Sequence, residues 1–414
     1  MAPAKAITGV MVKLGLGICM ASLAHCGKAV AADWPNWRGP NRNGVSHETG
    51  WSATWPADGP RLLWKASIGT GFASMAVSNG RVYAMGNIND NDILYCFDAG
   101  TGNEIWKKSY PCPLFKKQHE GGPAATPTVH GDFVYTFSKN GDAICFKVDT
   151  GQIVWHRKLA KELGVKHPTW YFSSSPLVMD NLVILNAGTA GIALDKSNGN
   201  LVWQNGSGPC GYASAVPFTV GGQKCVAIFA STELFGVVAA TGKVIWRLKW
   251  KTSWEINAAD PIVLGDTMFI SSGYNKGCAL LKIEKDKVTE IWRNRNMRNH
   301  CNSCVLWKGH IYGFDGQFGG GGKLTCIDYN TGQRKWAQGG LGTGSLMVAE
   351  GKLVVLGERG KLVIARASPE KYEQLASAQV LTGKCWTVPV LANGRIYARN
   401  AAGDLVCIDV RRQG

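Results

Sequence analysis

Three features of the 414-residue sequence predict an all-β fold, an eight-bladed β-propeller of four-stranded antiparallel blades. Glycine occurs 52 times beside 16 tryptophans, a strand–turn–strand unit ending in Trp recurs every 43 to 49 residues, and a second Gly-turned hairpin precedes each unit. A chain that is 45% hydrophobic and only 18% charged is neither disordered nor collagen-like. Its length would allow two or three domains, but a closed ring of repeats reads as one.

The first element is a leader. Lys5 and Lys13 precede an apolar run over 14–24, and Ala29, Val30 and Ala31 follow as small residues, the three-part layout of a secretory signal peptide. The run is too short to span a bilayer. Cleavage near Ala31 takes Lys5, Lys13 and Lys28, three of the sixteen net positive charges. Cys26 as a lipid-attachment cysteine is the secondary reading, because His25 is bulky where a small residue is expected. Residues 32–60 then form an N-terminal extended segment, and 61–410 the propeller.

Within the ring, Asp or a neighbour, a Gly turn and a terminal Trp recur at 98–106, 149–155, 195–203, 240–246 and 328–336. The copy at 284–292 is degenerate and lacks Thr-Gly. The terminal residues are Trp106, Trp155, Trp203, Trp246, Trp292 and Trp336. Upstream hairpins turn at Asn79-Gly80, Gly131-Asp132, Gly265-Asp266, Gly309-His310, Gly351-Lys352 and Asn393-Gly394, where φ > 0 is least costly for Gly or Asn. Each unit therefore has four strands, A to D. The seventh lacks both turn and Trp, and the eighth stops without strand D. Residues 61–65, ending in Trp64-Lys65, form an orphan strand D, so pairing this N-terminal strand with the C-terminal blade closes the circle at about 44 residues per blade and removes the sheet edges. The repeated Trp is a large plate with one N–H donor, suited to dock between blades with its indole nitrogen on a backbone carbonyl.

This pattern of apolar strand, Asp, small residue, Thr-Gly and Trp resembles the tryptophan-docking repeat of PQQ-like β-propellers, a family that includes quinoprotein dehydrogenases and non-enzymatic BamB-type assembly propellers. The opening Trp34-Pro35-Asn36-Trp37-Arg38-Gly39-Pro40 also resembles the leader of secreted PQQ-like repeat proteins. A propeller hosts many functions, so the resemblance implies fold more than chemistry.

Thirteen cysteines separate by position. Cys96, Cys145, Cys326 and Cys407 share one strand C position and are read as small core fillers. Cys112, Cys210, Cys301, Cys304 and Cys385 fall in or beside interblade loops, where an exported location permits disulfides whose pairing the spacing does not reveal. Cys301-x-x-Cys304 lacks the His of a haem site and the second pair of a zinc site, which leaves one loop cysteine and one entering a strand.

In a propeller the D-to-A and B-to-C loops line one mouth of the channel. Here they carry Lys116, Lys117, Gln118, His119 and Glu120, then Lys166 to Tyr171, and further round the expected ligand-binding residues Trp170, Trp254, Glu255, Asn257, His300, Asn302, Lys384 and Trp386. Converging aromatic plates and cations suit a carbohydrate, a planar group or an anion. The leading expectation is an exported binding or scaffolding module of the cell envelope. It is periplasmic or secreted, monomeric and not membrane-spanning, takes a cell-envelope protein or an anionic or carbohydrate ligand, and has no cofactor, catalytic residue, metal or nucleic-acid partner. The alternative implied by the resemblance is a PQQ- and calcium-dependent quinoprotein oxidoreductase acting on alcohols or sugars, for which Glu255, Asn257 and Asp260 would supply oxygen ligands. Adjacent cysteines, expected in such dehydrogenases, do not occur, and no Ser-His-Asp order, HExxH or Walker loop is present.

Overall fold

The computed structural model describes residues 1–3, 32–56, 58–115, 119–319 and 321–412. Residues 4–31, nearly all of the expected signal peptide with Cys19 and Cys26, and the loop residues Lys116, Lys117 and Gln118 lie outside them. Eight sheets follow one another around a ring. Blades 1 to 7 occupy 76–111, 128–158, 177–204, 216–249, 262–294, 305–338 and 345–379. Blade 8 is built from Val390–Ala392, Arg395–Arg399 and Asp404–Asp409, completed by Leu62–Ser67 paired antiparallel to Asp404–Asp409. This is the closure expected from the orphan strand. One short helix, Leu159–Glu162, follows blade 2.

The repeat residues explain how the blades lock. In every blade the C–D register slips by one residue, and in seven of them the residue just past the slip is the Trp, as in Cys96↔Trp106 and Cys407↔Trp64. The bulge aims the indole at the next blade. There it lies flat on the Gly of that blade's turn: a Cβ on Gly102, Gly151, Gly199 or Gly242 would sit 2.6 to 2.8 Å from the rings of Trp64, Trp106, Trp155 and Trp203. These glycines also hold φ of +65° to +75°, so both the turn and the ring contact require Gly. The indole nitrogens of Trp64, Trp106, Trp155, Trp203, Trp292 and Trp336 donate to Ala99, Val148, Lys196, Ala239, Tyr329 and Ser368 carbonyls at 2.8 to 3.2 Å. Trp246 is the exception. It faces the degenerate turn of blade 5, which has no Gly, and its buried Nε1 has no partner.

The four strand C cysteines sit between two rings. Tyr83↔Cys96↔Trp106, Tyr135↔Cys145↔Trp155, Tyr312↔Cys326↔Trp336 and Tyr397↔Cys407↔Trp64 are in register, with Tyr–Trp centroids 5.9 to 6.0 Å apart. A small apolar residue is what lets the two rings meet across the sheet. All eleven described cysteines are free thiols, so none of the loop cysteines is bridged.

Blade 7 has Ala376 where the others have Trp, paired with Ile364 at the same register slip. The N-terminal segment covers this seam. Trp51 is buried and bridges Arg411, while Trp55 packs on the same core cluster as Ala376 and donates to the Ser377 carbonyl at 3.3 Å.

The rest of the segment is a plug in the channel. Trp34 bridges Val77 of blade 1, the Pro35 carbonyl accepts from Val129 N–H of blade 2, and Arg42 Nη2 donates to Pro176 at the start of blade 3. Trp37 reaches Asp260 before blade 5 and Arg38 the Cys304 carbonyl before blade 6. Val45–Ser46 pairs in parallel with Ser345–Ala349 of blade 7, and Glu48 accepts from Gly394 N–H of blade 8. Seven blades are thus tied to one strand-like strap. The glycine turns of the A–B hairpins lie on its side of the ring, and the D–A and B–C loops on the other.

Candidate functional site

The loops opposite the plug surround a cavity of about 560 Å³ whose wall includes Trp37, so the plug closes its inner end and the channel becomes a cup. Of the residues expected at the mouth, Trp170, His300, Asn302, Lys384 and Trp386 line it. Trp254, Glu255 and Asn257 do not. Trp254 is 69% exposed on the outside, and Glu255, held at φ +56°, pairs with Lys251 at 2.9 Å. Asn257 is fully buried: its Nδ2 donates to the carbonyls of Ala230, Ser231 and Trp250, and its Oδ1 accepts from Ser272. It stitches two blades together and has no oxygen to spare.

Aromatic rings form a belt around the mouth. Tyr274 meets His300, His300 meets Phe318, Phe318 stacks on Trp386 at 3.7 Å, and Trp386 stacks on Phe72 at 5.3 Å. Phe72 meets His119, and His119 meets Trp170. These residues come from the loops of blades 8, 1, 2, 5, 6 and 7, so the ring's closure is what assembles them. Trp386 also carries the Lys384 ammonium 4.4 Å from its ring centre and its Nε1 donates to Glu358.

Both histidines of the cup are held neutral and Lys384 is paired. Burial pushes His119 and His300 down to about 4, and lysines near His119 add to its shift. His300 Nε2 lies 2.9 Å from the Tyr274 hydroxyl, and its buried Nδ1 has no partner. Lys384 pairs with Glu120 at 2.8 Å, and this bond, against the effect of burial, holds Glu120 below the usual carboxylate range. Lys139, 4% exposed, is pushed by burial down to about 8 and contacts the Trp170 carbonyl at 3.5 Å.

Asp260 belongs to the floor. Its Oδ2 accepts from Trp37 Nε1 at 2.6 Å, its Oδ1 from Ser214 N–H at 2.8 Å, and Arg38 lies 3.9 Å away, both side chains being 4% exposed. Burial pushes this carboxyl up, while Arg38 pulls it back. The oxygen set offered by sequence for a calcium ion therefore does not fit one: Glu255 points outward, Asn257 and Asp260 are spent on hydrogen bonds, and no group of three or more His, Cys, Asp or Glu is gathered among the described residues. Trp386, with its faces against Phe318, Phe72 and Lys384, is likewise not an open stacking plate.

Sequence reasoning missed Trp37, Phe72, Lys139, Tyr212, Tyr274 and Phe318 of the wall. The Trp34–Pro40 segment was visible as a motif, but nothing in its spacing places it inside the ring. Cys301 stands exposed at the cup, whereas Cys304 is buried against Asn299 Oδ1 at 2.9 Å beside the first residue of Val305–Trp307, as the two-role reading expects.

Residues 89–338 match the family described as outer membrane protein assembly factor BamB. The protein of that name from Shewanella oneidensis is 21% identical over 95% of this chain and 97% of its own length. Among solved structures, BamB from Moraxella catarrhalis is similar with a TM-score of 0.62 at 14% identity, covering 84% of this chain and 99% of its own. Quinohemoprotein alcohol dehydrogenase from Comamonas testosteroni has a TM-score of 0.67 at 14% identity, over 92% of this chain and 81% of its own. Likeness at this identity speaks to the fold, which the two classes share.

Proposed function

The chain belongs to the family of outer membrane protein assembly factor BamB, and from that premise we propose that it is an exported docking module of the cell envelope which seats a segment of an envelope protein in the aromatic cup. The observation that carries this reading is the belt itself: rings from six blades' loops surround a closed-ended cup whose histidines are neutral and whose Lys384 is already paired. Such a surface buries apolar side chains well. The match to a relative named as an assembly factor over nearly the whole chain supports the same role. In this reading residues 1–31 are removed as a signal peptide, 32–60 are the plug and seam cover, and 61–410 the ring of a periplasmic monomer. No helix among the described residues is long and apolar enough to cross a membrane.

Two measurements test it. Trp170→Ala and Lys384→Ala should each weaken crosslinked capture of a partner from envelope extract while leaving the melting temperature of the ring nearly unchanged; an unaltered capture profile removes the cup as the site. Titration with PQQ and Ca²⁺ should give no bound-quinone spectrum and no dye reduction with alcohols or sugars, and a saturable spectrum would establish the oxidoreductase reading in its place.

A further inference from the structure

The start of the plug sits on a buried carboxylate. Glu48 is 3% exposed and accepts from the backbone N–H groups of Gly394, Asn393 and Ala32. Beside it, Asp33 Oδ2 takes the Asn79 N–H at 2.9 Å and the Ser78 hydroxyl at 3.3 Å, while its Oδ1 takes Asn393 Nδ2 at 3.0 Å. Residues 32 and 33 are thereby held between the A–B turns of blades 8 and 1, where the ring closes. Arg395 acts on Glu48 through its field and without a hydrogen bond, because its Nη1 is given to the Asn393 carbonyl, and the same guanidinium also acts on Asp98. Burial pushes the Glu48 carboxyl up. A buried carboxylate answered by peptide N–H groups and one offset guanidinium gains from a closer counter-charge.

Ala32 is placed to supply one. Ala29 and Ala31 are the third and first residues before the Ala31–Ala32 bond, the small-residue pattern that a signal peptidase cuts. Hydrolysis of that bond consumes one water, leaves a carboxylate on Ala31, and converts the nitrogen already hydrogen-bonded to Glu48 from an amide into an α-ammonium. An ammonium brings a full charge and further donors to the same atom. Resting on the exported reading above, we propose that the Ala31–Ala32 bond is the processing site and that the freed α-ammonium of Ala32 pairs with Glu48, which fastens the plug across the ring's closure in the mature chain. Attachment of lipid at Cys26 would instead leave Ala32 an internal amide.

The first measurement is the intact mass and N-terminal sequence of the chain expressed with its own leader and recovered from the periplasm. The expected first residue is Ala32. A start at Cys26 or at any other residue overturns the processing site, and a chain retained uncleaved in the cytosol overturns the exported reading with it. The second is the melting temperature of the mature chain against the same chain carrying two extra alanines before Ala32. The mature chain should melt about 2–4 °C higher, and in Glu48→Gln that gap should vanish. Should Glu48→Gln fail to fold, acetylation of the Ala32 α-amine, which removes the charge without touching Glu48, should lower Tm by the same amount. A mature chain that starts at Ala32 but melts with the extended or acetylated form leaves export standing and overturns the pairing.

Discussion

Asp260→Asn is the substitution that separates the floor's architecture from a metal-ligand role. In the native protein the carboxylate accepts from the Trp37 indole and the Ser214 amide and stands 3.9 Å from an Arg38 side chain that is 4% exposed. An amide there keeps one acceptor, presents its N–H₂ to another donor, and leaves the guanidinium buried without its counter-charge. Breaking a buried pair in this way costs about 3–5 kcal/mol. At about 2.1 cal/mol/K of unfolding entropy per residue, a ring of roughly 380 residues loses about 1 °C for each 0.8 kcal/mol, so Tm should fall by about 4–6 °C. Arg38 keeps carbonyl partners at Arg42, Asn43 and Cys304, which favours the lower end. Removing both charges in Arg38→Met/Asp260→Asn should recover part of the loss, because no lone charge then remains. Scanning calorimetry of the wild type, both single variants and the double variant reads this directly. An Asp260→Asn protein melting within about 1 °C of wild type, or a double variant no better than Asp260→Asn, refutes the argument.

Other positions give sharper contrasts between look-alike residues. Trp203→Phe loses the bond to Ala239, whereas Trp246→Phe loses none, so urea denaturation should show the first to be about 1 kcal/mol more destabilising; equal losses would mean that Trp246 has a partner after all. Trp55→Ala should cost about 2–3 kcal/mol and open residues 51–60 to limited proteolysis, since Trp55 covers the seam where blade 7 has Ala376; a wild-type digestion rate would contradict this. For His119 and His300 the folded pKa, about 4, lies below the unfolded value near 6.5. Their contribution is therefore complete above about pH 6.5 and is lost as pH falls toward 4, by up to about 3 kcal/mol each. His300→Phe should flatten that acid limb of the stability–pH curve, and an unchanged limb would show that His300 does not titrate there.

What was readable in the sequence divides along the range of the interactions involved. The ring was readable because each blade repeats local chemistry: a Gly turn, a bulge and a Trp meet within one unit or between neighbours, at a fixed period. Trp64 as a strand D without its blade was enough to locate the closure. The cup was only half readable, since its residues come from loops with no common spacing. The loop at 250–257 looks as rich in aromatic and polar groups as any other, yet Asn257 turns inward to satisfy three carbonyls and Trp254 turns out. Backbone hydrogen-bond accounting decides which way such side chains go, and that needs coordinates. Tyr274 and Phe318 sit in the B–C loops of blades 5 and 6, where no spacing rule distinguishes a wall residue from a loop anchor.

The plug changes what the ring is able to do. An open propeller channel admits solvent from both ends, and a ligand at one mouth competes with water from the other. Here Trp37, Arg38 and Asp260 close the inner end, so an apolar side chain entering between Trp170 and Phe318 would leave water on one side only. The same strap ties seven blades to one another, so the geometry of the mouth depends on contacts made at the opposite end of the ring. A docking surface assembled from loops gains from this. Its rings are held in place by a strand that pairs with the blades at the other end of the channel, and less ordering remains to be done when a partner arrives.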